Sequence, residues 1–310
     1  MKKLCVIGSL NMDLVAVAER FPRPGETLVG SDFGAYPGGK GANQAVALGR
    51  LGADVRMTGK VGDDPYGRQY LQILKENGVQ ASGVGFESGI FTGTAVIEVD
   101  KTGENHIIVV PGANGRVDRS FIRNKLEYML ECDIFLLQLE IPMETTMFIV
   151  DVLRERSKVI IMDPAPARPL SDETIRKLDF ITPNETELAV LTDCMIDTED
   201  ALVEAGNSLL ARGAGAVIIK AGKKGAYLIT PRESVHVPGF TVNAVDTTAA
   251  GDSFNAGFAF ALARGMPLKE CVRFGNGVGA LSTTAKGAQG AMPGLEEVES
   301  FLADFVSGGV

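Results

Sequence analysis

Short runs of branched apolar residues alternate along this chain with amphipathic stretches. The apolar runs fall at residues 4–7, 55–59, 134–138, 159–162, 180–182 and 217–220, with another at 226–229. Each is bounded by polar or turn-forming residues and reads as a strand, the first ones covered on both faces. Between them, apolar positions spaced three and four apart predict helices near 43–51, 66–77, 120–130, 144–155, 187–191 and 199–212. Three more follow Asp252, at 254–264, 268–283 and 295–305. Strands separated by helices of this length form parallel βαβ units. The expected fold class is therefore α/β, a doubly wound, mainly parallel sheet with helices on both faces, in one domain over residues 1–310.

Two segments depart from that rhythm. Residues 14–17 with 26–35, and later 93–110, alternate with a period of two and carry turn signals at Pro22-Arg-Pro-Gly25 and Lys101-Thr-Gly103. Thr94, Val96 and Glu98 fall on one face, Ile97 and Val99 on the other. These segments predict a small antiparallel sheet, built from about residues 14–36 and 91–111, standing off the main one. Its apolar face needs a cover, either as a lid over a ligand cleft or against a second subunit. A plain extension of the main sheet is the simpler alternative.

Composition narrows the chemistry. Hydrophobic residues make up 45% and charged residues 22%, as in ordinary soluble proteins. A net charge of −9 without a basic run disfavours nucleic acid or an anionic membrane as partner. A phosphate ligand must then be met by local devices. No apolar run approaches the ~18 residues of a membrane span, and Asn11 and Asp13 interrupt the early apolar stretch, so 4–7 reads as a strand rather than a secretory signal. Cys5, Cys132, Cys194 and Cys271 lack CxxC spacing and sit in apolar contexts, as expected of reduced core thiols in a cytoplasmic protein. His106 and His236 are the only histidines, so a general base must be sought among the carboxylates.

Neither GxxxxGK[ST] nor a GxGxxG opening a helix after the first strand occurs. Three other groups carry the candidate chemistry. In Asp246-Thr-Thr-Ala-Ala-Gly-Asp252, small residues lead into a helix start, whose free amides and positive dipole end suit phosphate oxygens. Asp252 there reads either as an N-cap or as a base beside that anion site. In Pro37-Gly-Gly-Lys40-Gly-Ala-Asn43, glycines permit a tight turn and aim Lys40 and Asn43 toward the strand ends. Asn11, Asp13 and Glu140 follow strands. Together with Lys40 and Asn43 they supply two carboxylates, two amides and one ammonium, a set suited to a polyhydroxyl compound and poorly suited to a phosphate dianion.

The runs Gly38–Gly62 and Asp246–Gly257 resemble the two signatures of the ribokinase-type (PfkB) family of sugar kinases. Further matches run in order through Gly8-Ser-Leu-Asn-Met-Asp13, Leu137-Gln-Leu-Glu140, Asp163-Pro-Ala-Pro-Ala167, Pro183-Asn-Glu-Thr-Glu187 and Lys286-Gly-Ala-Gln289. That resemblance implies ATP-dependent phosphorylation of a sugar's primary hydroxyl, with D-ribose the expected sugar. Fructose, a nucleoside, a sugar acid and a non-catalytic sugar-binding role are the alternatives. It implies Asp252 as base, an anion hole from the amides of Ala249, Ala250 and Gly251, and sugar contacts from Asn11, Asp13, Gly39, Lys40, Asn43 and Glu140. ATP would lie along Asn184, Lys220, Gly222, Gly225 and Asn276, with Mg²⁺ near Asn184 and Glu187, held through phosphates and water. A K⁺ site is implied at the Asp246 carboxylate and the carbonyls of Thr248, Ser282, Ala285 and Gly287. Where many relatives have a hydroxyl at the end of that loop, this chain has Ala291. The resemblance also implies a homodimer through the lid.

Overall fold

The computed structural model describes residues 1–307. Its first strands are β1 (Leu4–Ile7), β2 (Asn11–Val17), β3 (Asp32–Gly38), β4 (Val55–Gly62), β5 (Gln80–Glu87), β6 (Gly93–Val99) and β7 (Asn105–Val110). They are followed by β8 (Ile134–Leu137), β9 (Val159–Met162), β10 (Phe180–Ile181), β11 (Ala216–Lys220), β12 (Gly225–Ile229) and β13 (Ser234–Pro238). The helices are α1 (Lys40–Arg50), α2 (Pro65–Glu76), α3 (Arg119–Leu130), α4 (Met143–Glu155) and α5 (Asp172–Ile175). The remainder are α6 (Glu185–Thr192), α7 (Glu199–Ala211), α8 (Ala250–Ala263), α9 (Leu268–Ser282) and α10 (Leu295–Ser307).

The main sheet has the order β13-β12-β11-β10-β9-β8-β1-β4-β5. From β11 to β5 every pairing is parallel, and β12 alone runs opposite, antiparallel to both β11 and β13. Strand residues divide alternately between two cores. Leu4 and Val6 join α1, α2, α8 and α9 on one face, while Cys5 and Ile7 join α3, α4, α6 and α7 on the other. Covering both faces is what makes β1, β8 and β9 continuous apolar runs. The alternation around His236 marks β13, but the sequence pattern did not reveal β5, because it is a half-exposed edge strand whose polar and small residues break the apolar run.

Several helix starts carry their own signal. Asp64 and Asp118 accept from backbone amides three residues on, each at 2.7 Å, and Asn184 forms a reciprocal capping box with Glu187. Cys5, Cys132 and Cys271 are buried free thiols, as the sequence suggested. Cys194 is exposed, because it follows the left-handed end of α6 at Asp193.

The second sheet has the order β3-β2-β6-β7 and spans residues 11–38 and 93–110. Its two hairpins are antiparallel as expected, but its central pair, β2 with β6, is parallel, since each begins beside the other at Asn11 and Gly93. Ile107, Ile108, Val109, Phe33 and Val96 remain exposed on it, Ile108 and Phe33 each at 67%.

Candidate functional site

The strand order reverses at β1 and β8: the chain builds outward to β4 and β5 on one side and to β9, β10 and β11 on the other. Ligands of open α/β sheets bind at such a switch point, beyond the carboxyl ends of the strands. Ser9, Gln138, Asp163, Asn184 and Lys220 stand at those ends, after β1, β8, β9, β10 and on β11. The amino ends of α1 and α8 converge on the same place.

The two helix starts differ in one decisive respect. At α1, Lys40 N donates to Glu140 Oε2 (3.0 Å), Gly41 N to Ser9 Oγ (3.3 Å) and Ala42 N to the Ser9 carbonyl (2.9 Å). Its amides are therefore spent. That close seating requires glycine at 41, where a Cβ would stand 2.6 Å from Ser9 N, and glycine at 39, whose φ is +86°. At α8 the N-cap is Ala249, held in the left-handed region (φ +61°) with no capping side chain. The amide of Ala250 donates to Thr247 O (3.2 Å), whereas those of Ala249, Gly251 and Asp252 have no partner among the described residues. The helix begins at Ala250, so Asp252 lies in its first turn rather than capping it. Of the two, only the start of α8 keeps open amides at the positive end of its dipole, the arrangement that suits an anion.

Asp252 is 5% exposed, and both its oxygens are held: Oδ2 by Asn43 Nδ2 (3.0 Å) and Oδ1 by Gln44 Nε2 (3.1 Å). Burial pushes its carboxyl up to about 6, with Lys40 opposing and Asp163 reinforcing the shift. It is ionised at neutral pH and well placed to take a proton. Lys40 makes no ion pair within 4 Å among the described residues. Desolvation works against its charge, yet the surrounding Asp252, Asp163, Glu140 and Glu187 hold its ammonium more firmly protonated than usual.

On the lid side, Asn11 and Asp13 belong to β2, and Asn11 Oδ1 accepts from Asn114 (2.7 Å). Burial, then Glu140, raises the Asp13 carboxyl to about 7. Glu140 also binds Ser9 Oγ, so one carboxylate fixes the start of α1 and faces the cleft. On the far side of α8 lies a cavity of about 420 Å³ lined by Lys220, Gly222, Gly225, Phe240, Gly251 and Asn276 among others. Asn276 donates to the carbonyls of Val237 and Pro238 at its wall. Asn184 is occupied in its capping box, beside rather than inside the cavity.

Asp246 organises the adjoining loop. Its Oδ1 accepts from Thr248 N (2.9 Å) and Oγ1 (2.6 Å), and its Oδ2 from Gly287 N (3.0 Å). Burial opposes its charge, but these donors outweigh it and hold the carboxyl below the usual range. Thr248 and Gly287 are thereby brought to Asp246, and Ser282 ends α9 beside the same loop. Ala285 is exposed, and Ala291 is buried.

Three residues with no role assigned from sequence belong to the site. Gln44 bridges Asp252 and Asp163, Asp163 bonds Lys220 Nζ at 2.8 Å, and Gln289 reaches Asn43. The signal for each was a polar residue inside a run already notable for its neighbours.

The profile of the pfkB family carbohydrate kinases matches residues 1–294. The chain belongs to that family. It is 44% identical to the ribokinase of Bacillus subtilis over 98% of this chain and 100% of that protein. It is 36% identical to a deoxyribokinase of Salmonella typhi over 97% of this chain and 98% of the relative. The structure of Arabidopsis thaliana ribokinase complexed with ribose and ATP superposes with a TM-score of 0.91 at 32% identity, covering 97% of this chain and 98% of the other. The carbohydrate-kinase fold and family anticipated from the motifs are thus established. No described helix is long and apolar enough to cross a membrane.

Proposed function

We propose that this carbohydrate kinase transfers the γ-phosphoryl group of ATP to the primary hydroxyl of D-ribose, giving ribose 5-phosphate and ADP. The observation that carries this reading is the pairing of an open helix start with a held carboxylate one turn in. The amides of Ala249 and Gly251 face developing phosphoryl charge, and Asp252 accepts the hydroxyl proton. Phosphoryl transfer needs little more than positioning and electrostatic stabilisation, and both are built here from fixed groups.

The sugar is read by Asn11, Asp13, the Gly39 backbone, Lys40, Asn43 and Glu140. Among these, Lys40 is the single cation, which favours a neutral polyol over a sugar phosphate. The nucleoside occupies the cavity beside α8, between Gly222, Gly225 and Asn276, with Lys220 toward the phosphates. When bound with the nucleotide, Mg²⁺ would supply charge neutralisation, and Glu187, whose carboxylate lies 3.9 Å from Lys220, would help hold it together with Asn184. The Asp246 loop, with one carboxylate and many carbonyls, has the donor set of a K⁺ site, with Ala291 lacking a side-chain oxygen. The small sheet covers the sugar, and its exposed apolar face joins a second copy.

An ADP-release screen over ribose, 2-deoxyribose, fructose, nucleosides and sugar phosphates, with and without K⁺, tests the reading. The highest kcat/KM should belong to D-ribose. A higher value for another acceptor would reassign the substrate, and no release with any would remove the kinase role.

A further inference from the structure

Gln289, 3% exposed in the loop between α9 and α10, sits at the centre of a chain of hydrogen bonds whose direction is fixed at both ends. One end is the carbonyl of Gly38, the last residue of β3, which can only accept. Tyr70 on α2 is fully buried and donates its hydroxyl proton to that carbonyl. The same hydroxyl therefore accepts from Gln289 Nε2 (2.8 Å), and the second proton of that amide goes to Asn43 Oδ1 (3.0 Å). With its oxygen so engaged, Asn43 must present Nδ2 to Asp252, 3.0 Å away. The other end, the Asp252 carboxylate, also only accepts. The oxygen of Gln289 is left without a partner among the described residues, so its orientation is imposed by these neighbours.

We propose that Gln289 is a positioning residue for the phosphoryl-transfer step: it locks the amide of Asn43 as a donor to Asp252 and ties that carboxylate to the base of the lid at Gly38. The inference rests on the reading of Asp252 as the base. Reversing Asn43 would set donor against donor and oxygen against carboxylate, and reversing Gln289 would set its oxygen against that of Asn43, so one arrangement is strongly preferred.

The Asn43 bond favours ionised Asp252, so loosening it should raise the pH at which the base is protonated. The other groups facing Asp252 are Lys40 on α1, Asp163 after β9, Tyr70 on α2 and Lys220 on β11 over Gly251. Gln289→Met and Gln289→Asn add no charge, and of these groups they touch only Tyr70, whose hydroxyl loses or loosens the bond from Gln289. The test is the pH profile of sugar kcat/KM for wild type, both variants and Tyr70→Phe, with thermal melting to establish folding. Gln289→Met and Gln289→Asn should lower kcat about tenfold and move the acid limb up by roughly half a pH unit. Tyr70→Phe should leave the limb in place, since Asn43 keeps its partner. If Gln289→Met does not fold, Gln289→Asn, which retains an amide, decides the question. A folded Gln289 variant whose acid limb coincides with the wild-type limb overturns the proposal. Absence of sugar phosphorylation by wild type, or full activity in Asp252→Asn, would overturn the parent reading instead.

Discussion

The Lys220 ammonium lies 2.8 Å from Oδ1 of Asp163, and both side chains are nearly withdrawn from solvent. The second oxygen of Asp163 accepts from Gln44 (2.9 Å), whose amide also serves Asp252. One buried carboxylate thus holds a cation at the wall of the cavity beside α8 and helps orient an amide on Asp252. Lys220→Met should raise the KM for ATP about tenfold and, by leaving Asp163 unpaired, destabilise the fold by about 3 kcal/mol. Lys220→Met with Asp163→Asn should recover most of the stability but not the ATP affinity. Thermal melts and ATP titrations separate the two effects, and equal losses in single and double variants would show that the pair is not coupled.

Glu140 accepts from the first amide of α1 and from Ser9, and on the proposed reading it also binds a sugar hydroxyl. Glu140→Gln keeps the shape but weakens both the helix-start contact and hydroxyl recognition. The sugar KM should rise about tenfold while the KM for ATP stays within twofold, because the nucleotide cavity lies across α8. Parallel rises in both constants would place Glu140 outside the sugar site.

Asp13 has its carboxyl raised to about 7, first by burial and then by Glu140. A raised folded-state value means that the folded protein favours the protonated form. The stabilising contribution is therefore complete below the ordinary carboxylate range and is lost as pH rises through about 7. Asp13→Asn should raise the melting temperature relative to wild type more at pH about 8 than at pH about 5. The opposite trend would contradict a buried, unpaired Asp13. Ribose binding, which offers hydroxyl donors to the carboxylate, should strengthen in wild type over the same rise in pH.

One face of the lid sheet carries exposed Phe33, Val96 and Ile108, while Ile107 and Val109 lie on the face that also bears Asp13. An apolar face of this kind is expected to pair with a second copy. Sedimentation should show a dimer for the wild-type chain and a monomer for Ile108→Asp. A monomeric wild type at micromolar concentration would rule out that partner.

Much of this architecture was legible because strands buried on both faces leave unbroken apolar runs, as at β1 and β8. The edge strand β5 was hidden, since a half-exposed strand rich in glycine and polar residues loses that contrast. The parallel β2–β6 pairing was equally hidden, because period-two alternation gives the faces of a strand but not its neighbour's direction. Asp252, Asn43 and Glu140 were legible as polar residues at strand ends and helix starts. Gln44, Asp163 and Gln289 were not, because their roles come from long-range bonds between segments more than 100 residues apart in sequence.

The catalytic assignment of Asp252 is tested most directly by paired calorimetry and ADP release on Asp252→Asn. Ribose and ATP should bind within severalfold of wild type, while kcat falls by about 10²–10⁴-fold, the contribution of a general base. Turnover within tenfold of wild type, with binding intact, would contradict the assignment of Asp252 as the group that takes the proton.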